Sequence, residues 1–584
     1  MSRNPLEADS RLGLERHLVA FDPRRVPVYR FDAVVVGGGL AGGVAALIAA
    51  RGGRSVALVT KAALGEGNTR YAQGGLAAVG AADDSVALHV ADTLRVGCGL
   101  CDPAVVGRIV RGGPDALEEL IDLGTELDRG PDGSLRLSRE GGHSRGRVAH
   151  ARGDATGLEI QRAVNAALAA EPAITSFPET FAVDLLGDGR GDLAGVQGRT
   201  AGGEHVAFCA PDVLLATGGS GQIYRETTNP PVATGDGVAM AFRAGARLRD
   251  LEFVQFHPTC LYIAGAARVL ISEVLRGAGG ALRDRHGRRF MPEAHPEAEL
   301  APRDVVSRAV FRTMVETGDT NVYLDLSDVD LDPHTAFPGI SRVCRAFGID
   351  IASEAIPVRP GAHYQIGGVE IDREGQTSVE GLWAVGECAS SGLHGANRMG
   401  SNSLLEALFG GLETGRALSL RPTRAPQPHS VVAGGADGRE ENGLTQPVNI
   451  EDLTYSLKSM MWRQMGVERD AEGMSEAAGK LGFWSRVVQD LAEPGPRTWE
   501  LVNMLTVARL ATLSALGREE SRGVHYRTDY PESGDAQHTL LTGIWPEDGP
   551  SRVLVQREAA ASPAPGGGDA AGALELPSTK TAGR

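Results

Sequence analysis

Phe31 to Ala50 reads FDAVVVGGGLAGGVAALIAA. This long apolar run has about the length of a membrane helix, roughly 20 residues. Its internal order argues against one. β-Branched residues come first, three glycines interrupt, and an alanine-rich half follows. That order is strand, tight turn, helix. Gly37, Gly38, Gly39, Leu40, Ala41 and Gly42 then match GxGxxG in the strand-to-helix context that the motif requires. Gly37 permits the turn, Gly39 lets a pyrophosphate approach the backbone, and Gly42 lets helix and strand pack closely. The helix start offers N–H groups and the positive end of its dipole to phosphates. SVALVT supplies the next strand, but the acid that commonly ends it and binds a ribose is missing. Thr60 and Lys61 stand there instead.

Outward from this unit, helical patterns cover 85–96, 103–123 and 156–170. Asn68, Thr69, Arg70, Tyr71, Ala72, Gln73, Gly74 and Gly75 form a second polar, glycine-bearing loop. DVLLATGG is an apolar strand ending near 218, and LWAVGE at 382–387 is another. SLLEALFGGLETGRAL reads as a helix. Residues 421–444 are rich in Pro, Gly and charge without a period, the signature of a linker. Residues 450–522 are helical by pattern. From about 557 the chain is low in complexity, full of Ala, Gly and Pro, and is expected to be disordered. Residues 1–29 read as an extension of uncertain order.

With 584 residues the chain has room for several domains. Its 58 Lys and Arg against 74 Asp and Glu give a net charge of −16, a poor match to nucleic acid or an anionic membrane surface. The N-terminus is charged and has no apolar signal core. Six cysteines in so long a chain suit a reducing cytoplasm. Cys98 and Cys101 form a lone CxxC, with no second pair to complete a zinc site, so a turn is expected there and no metal.

NTRYAQGGLAAV, REGGHS, TGDGVAMA, FVQFHPT, APRDVVSRA, GAHYQIGGV, LWAVGECA, HGANRMGSNSLLEALFGG and ESRGVHYRTDYPE follow one another between about 31 and 533. This set resembles the succinate dehydrogenase/fumarate reductase flavoprotein family, and within it the L-aspartate oxidases. The resemblance implies an α/β architecture: a Rossmann-like FAD-binding domain in two segments (30–245 and 356–420), with an α+β capping domain inserted at 246–355. After the linker it implies a helical domain at 445–535 and a C-terminal segment at 536–584.

Flavin oxidation of a small dicarboxylate needs cationic or hydrogen-bonding groups on both carboxylates, with water kept from the reacting carbon. Arginines and histidines in short polar motifs with apolar flanks are the candidates: His257, Arg303, His363 and Arg398. By resemblance, Arg303 exchanges a proton with substrate. Arg398 and His363, with Ser401 adjacent, clamp one carboxylate, and His257, Ser272 and Glu273 form the other end of the pocket. The same resemblance places Gly37, Gly39, Gly42, Lys61, Asn68 through Gly75, Asp236, Glu387, Ser403 and Leu404 at FAD, with Asp236 and Glu387 accepting hydroxyls. Asn68 stands where membrane-bound members carry a flavin-linked histidine, so the FAD is expected to be non-covalent. Glu140 replaces an apolar aromatic of the succinate enzymes, and a carboxylate there would pair with the ammonium of L-aspartate. The expected reaction is oxidation of L-aspartate to iminoaspartate with oxygen or fumarate as acceptor, feeding quinolinate and NAD biosynthesis, with quinolinate synthase as a partner. A fumarate reductase or succinate dehydrogenase subunit is the alternative enzyme, and a non-catalytic flavin-binding subunit the alternative of another class.

Overall fold

A computed structural model describes residues 14–266, 268–430, 448–546 and 551–560. Ala33–Val36 is a strand whose four residues are all buried, as a strand covered on both faces must be. It is the middle of a five-stranded parallel sheet in the order Leu382–Ala384, Asp212–Leu215, Ala33–Val36, Val56–Val59, Ile174–Phe177. The first crossover from the middle strand runs through the Leu40–Arg51 helix to Val56–Val59. The strand on its other side arrives only at Asp212, so the winding reverses at Ala33–Val36 and opens a crevice at the carboxyl ends of the strands.

The Leu40–Arg51 helix packs against the Asn402–Leu420 helix almost backbone to backbone. A Cβ at Gly411 would lie 2.7 Å from the Ala41 carbonyl oxygen, and one at Gly415 2.7 Å from Ile48 Cβ. The glycines of FGGLETG therefore let a segment late in the chain press on the first helix.

A four-stranded sheet, Val254–Leu261, Ile356–Gln365, Val322–Asp325 and Ala281–Arg283, covers the crevice together with the Arg303–Thr317 helix. Because Ile356–Gln365 pairs with Val254–Leu261, the capping sheet runs beyond residue 355 and carries His363 on it. The boundary drawn at 356 therefore moves C-terminal by about one strand.

Ile450–Gln464, Ala471–Leu491 and Pro496–Gly517 are three helices sharing one core with the five-stranded parallel sheet. Pro496–Gly517 is buried from Leu501 to Ala515 on every side, which marks an interior helix rather than an amphipathic one.

Both ends of the described chain are more ordered than the sequence reading allowed. Leu14 is buried, its N–H donates to Ser551 Oγ at 2.9 Å, and the Leu18 N–H donates to Asp184 at 2.7 Å. Gln537–Ile544 and Arg552–Ala559 form a hairpin on a sheet with Leu248–Arg249. Disorder from 557 is thus corrected: 557–559 are strand residues, and Arg557 donates to Thr539. Residues 431–444 of the expected linker and the tail beyond 560 lie outside the described residues. Among the described residues, no helix is long and apolar enough to cross a membrane, and no cluster of three or more His, Cys, Asp or Glu could hold a metal. Cys98 and Cys101 are free thiols that burial pushes up to about 12, in the turn before the Pro103–Asp122 helix.

Candidate active site

One cavity follows the crevice from the nucleotide motif to the underside of the cap. Four strand ends open into it. Val36 leads to Gly37–Gly39, Val59 to Thr60 and Lys61, Leu215 to Ala216–Gly218, and Ala384 to Val385–Glu387.

At the first end Gly37 has φ of +115°, and a Cβ there would sit 2.1 Å from the Ala216 carbonyl oxygen. A Cβ at Gly39 would meet only Thr69 Oγ1, at 3.2 Å, so the backbone at Gly39 is open to the cavity. The Leu40–Arg51 helix has no acidic residue in its first turn, and its Leu40 N–H donates to Thr69 Oγ1 at 3.1 Å while the N-cap, Gly39, has no side chain to offer. Its positive end is left for an anion. Asn68 Oδ1 and Gln73 Oε1 are buried, line the cavity and have no hydrogen-bond partner. These features fit a bound dinucleotide, since they are the donors, acceptors and clearances that its pyrophosphate and polar rings require.

Most of the expected cofactor residues line this cavity: Gly37–Ala41, Lys61, Asn68, Thr69, Tyr71–Gly75, Asp236, Glu387, Ser403 and Leu404. Gly42 does not, and acts by close packing; a Cβ on it would lie 2.1 Å from the Gly37 carbonyl oxygen. Arg70 is corrected. It is absent from the lining, half exposed, and 4.0 Å from Glu66.

Asp236 is tied to the protein through both its oxygens. Oδ2 accepts from Lys61 Nζ at 2.7 Å and Thr234 Oγ1 at 2.9 Å, and Oδ1 accepts from Asn503 Nδ2 at 2.8 Å. Lys61 further donates to Glu500 at 2.7 Å. Glu500 and Asn503 sit on the Pro496–Gly517 helix and were not singled out in the sequence. Glu387 accepts from the Gln365 N–H at 3.0 Å and from Asn68 Nδ2, and burial pushes its carboxyl upward.

The far end of the cavity holds the charged groups. Arg303 begins its helix directly after Pro302, and its Nε and Nη2 reach Glu273 Oε2 at 2.8 and 2.7 Å. Burial would raise the Glu273 carboxyl, but Arg303 and Arg276 beside it outweigh that and hold it at about 2. Arg398 is buried, and its Nη2 donates to Ser403 Oγ at 2.7 Å. Burial, with Arg303 near, lowers Arg398 to about 10.

Gln255, which the sequence reading passed over inside FVQFHPT, joins the two arginines. Its Oε1 accepts from Arg303 Nη1 at 3.1 Å and Arg398 Nη1 at 3.0 Å. Its Nε2 donates to Asn397 Oδ1 and the Arg398 carbonyl oxygen, which fixes the amide the right way round. His257 and His363 pack edge to face at 5.1 Å, and Thr228 Oγ1 lies 2.8 Å from His363 Nδ1. Burial first, and then the charge of Arg303, keeps both rings well below the usual histidine range, so they stand neutral beside the arginines. Ser272 lines the same end and caps the Glu273–Gly277 turn.

Glu140 is buried and makes no pair with Arg139 or Arg145. Arg139 donates to the His143 carbonyl oxygen and Arg145 faces Asp83. Glu140 Oε2 instead accepts from Ser401 Oγ at 2.7 Å. Gly400 stands where the charged groups converge. A Cβ on it would lie 2.8 Å from Glu140 Oε2, 3.1 Å from Arg303 Nη2 and 3.5 Å from Glu273 Oε2.

A doubly wound nucleotide fold closed by a cap that carries arginines and neutral histidines defines a flavoprotein oxidoreductase. Residues 32–404 match the FAD binding domain family, and residues 454–561 match the fumarate reductase flavoprotein C-terminal family. Quinol fumarate reductase FrdA of E. coli superposes with a TM-score of 0.83 at 33% identity, covering 92% of this chain and 98% of that one. Mycobacterium smegmatis Sdh1 gives 0.78 at 32%, covering 92% and 95%. L-aspartate oxidase of Streptomyces coelicolor is 44% identical over 86% of this chain and 89% of its own, and that of tobacco (Nicotiana tabacum) 41% over 88% and 84%. The chain belongs to the L-aspartate oxidase family.

Proposed function

We propose that this chain oxidises L-aspartate to iminoaspartate. The buried Glu140 carboxylate, sharing a pocket with Arg303 and Arg398, carries the reading. Two arginines suit the two carboxylates of any C4 diacid. An α-ammonium would give this buried carboxylate a partner that a simple diacid cannot offer.

FAD, when bound, would supply the two-electron acceptor, with oxygen or fumarate as the final oxidant. Gly37–Gly39, Lys61, Asn68, Thr69, Gln73, Glu387, Ser403 and Leu404 are the residues that would hold it. Arg398, His363 and Ser401 bind one substrate carboxylate, and His257, Ser272 and the Arg303 side bind the other. Glu140 orients the ammonium; one of its protons passes to solvent and a hydride would leave Cα for the flavin, so the substrate gives up two electrons and becomes the protonated imine. The cap shuts water out, and neutral histidines donate hydrogen bonds without adding charge. With fumarate, Arg303 delivers the proton to the carbon beside the hydride acceptor, and Glu273 keeps its guanidinium in place. The unstable imine goes to quinolinate formation in NAD biosynthesis, with quinolinate synthase as its consumer.

The test is the visible spectrum of the purified holoenzyme, kept anaerobic, before and after L-aspartate, with succinate in a parallel cuvette. Bleaching by aspartate and not by succinate is expected. The reverse pattern would assign the chain to succinate–fumarate chemistry.

A further inference from the structure

Arg303 and Arg398 are compensated in different ways. Arg303 has a carboxylate in direct contact, Glu273. Among the described residues Arg398 has none within ion-pair distance. Its Nη atoms meet neutral partners, Gln255 and Ser403, its Nε is buried without a partner, and its guanidinium lies 4.6 Å over the ring of Tyr364. A carboxylate directly on Arg398 would compete with the substrate's own. An aromatic face offers partial negative charge without competing for the N–H groups.

The Tyr364 ring is itself tied down. Its hydroxyl donates to Glu406 Oε2 at 2.8 Å. His394 Nε2 lies 2.8 Å from the same oxygen, and the His394 ring packs on that of Tyr364 at 5.3 Å and 88°. Ser391 donates to the other Glu406 oxygen. Tyr364, Glu406 and His394 thus close a buried triangle beside the arginine. Glu406 lies three residues after Ser403 on the Asn402–Leu420 helix, so one helix face holds Arg398 twice, directly and through the ring.

We propose that Tyr364 is a positioning residue for Arg398, and that Glu406 is the anchor fixing the plane of its ring. The inference rests on Arg398 binding a substrate carboxylate. A ring released from Glu406 tilts away from the guanidinium, and the arginine then loses its orientation rather than its charge.

The experiment uses the full-length holoenzymes Tyr364→Phe, Tyr364→Leu, Glu406→Leu and the double variant Tyr364→Phe/Glu406→Leu. Succinate is the probe, its Kd read from the perturbation of the flavin spectrum, alongside kcat and KM for L-aspartate and the Kd for FAD. Tyr364→Phe keeps the ring and loses the anchor, so the succinate Kd and aspartate KM should rise about 5- to 10-fold, with kcat within twofold. Tyr364→Leu removes the π face and should raise them about 30-fold or more. Because both singles break the same bond, the double variant should be no weaker than the weaker single. FAD affinity should not move. Wild-type succinate binding in Tyr364→Phe, equal losses for Phe and Leu, multiplying effects in the double variant, or lost FAD affinity would each overturn the proposal. Succinate binding requires only the clamp, so a chain unable to oxidise L-aspartate would refute the functional reading and leave this test intact.

Discussion

Replacing Glu140 by glutamine removes one negative charge from the pocket and little else. The two side chains have nearly the same shape, and a glutamine carbonyl can still accept the Ser401 hydroxyl that Glu140 holds at 2.7 Å. What changes is the partner offered to an α-ammonium. Glu140 is 3% exposed, so water replaces it poorly. A buried ammonium left without its carboxylate costs several kcal/mol, and partial hydration brings that to about 2–3 kcal/mol. At about 1.4 kcal/mol per tenfold, kcat/KM for L-aspartate should fall roughly 30- to 100-fold. Fumarate has no ammonium to lose a partner, so its reduction should change little. The assay is kcat/KM for both substrates in wild type and variant, with FAD content measured in each. Equal losses for the two substrates would show that Glu140 is structural and would remove the physical basis for preferring the amino acid.

Arg303→Lys should retain FAD and lose most fumarate reduction, because lysine cannot reproduce the fork that spans Glu273 and Gln255; the measurement is fumarate turnover with a chemical reductant. Acid precipitation should release all the flavin into the supernatant, since the histidines lining the cavity, His257 and His363, lie at its substrate end, and yellow colour in the pellet would contradict non-covalent binding. Glu500→Gln should weaken FAD binding about fivefold by loosening the partly exposed Lys61 pair, read by fluorescence titration of the apoprotein. Burial holds His257, His363 and His525 well below 6.5, so the unfolded chain takes up protons that the folded chain refuses. Stability should therefore be full above pH 6.5 and fall as the pH drops below it, by up to about 1.4 kcal/mol per unit for each ring. Urea midpoints at pH 7.5, 6.5 and 5.5 test this, and a flat series would mean that the rings are not neutral in the fold.

The sequence carried the nucleotide motif openly because glycine spacing, a strand before it and a helix after it are all local. Arg303, His257, His363 and Arg398 stood out as candidates because each is a charged or titratable group set in an apolar neighbourhood, and the family resemblance supplied their roles. Gln255, Tyr364 and Glu406 were not. A glutamine and a tyrosine in buried strands, and a glutamate in a helix, look like ordinary structure until the partner is known, and Glu406 lies 42 residues from Tyr364. Glu500 and Asn503 were hidden the same way, in a helix whose pattern says only that it is interior. The hairpin at the C-terminus was missed because the alternation of RVLVQREA runs straight into an Ala- and Pro-rich tail, and composition outweighed periodicity.

The Lys61–Asp236–Glu500 cluster has a consequence for how the protein comes into being. The nucleotide motif leaves the ribosome among the first fifty residues, yet the cluster at its floor needs a glutamate and an asparagine from the last hundred. The strand ending at Ala384 and the helix starting at Asn402 are likewise late arrivals. A nascent chain several hundred residues long therefore exposes half a cofactor cleft with nothing to fill it. The cleft is complete only once these late segments are in place, and apolar lining residues such as Val36 and Val59 stay uncovered until then.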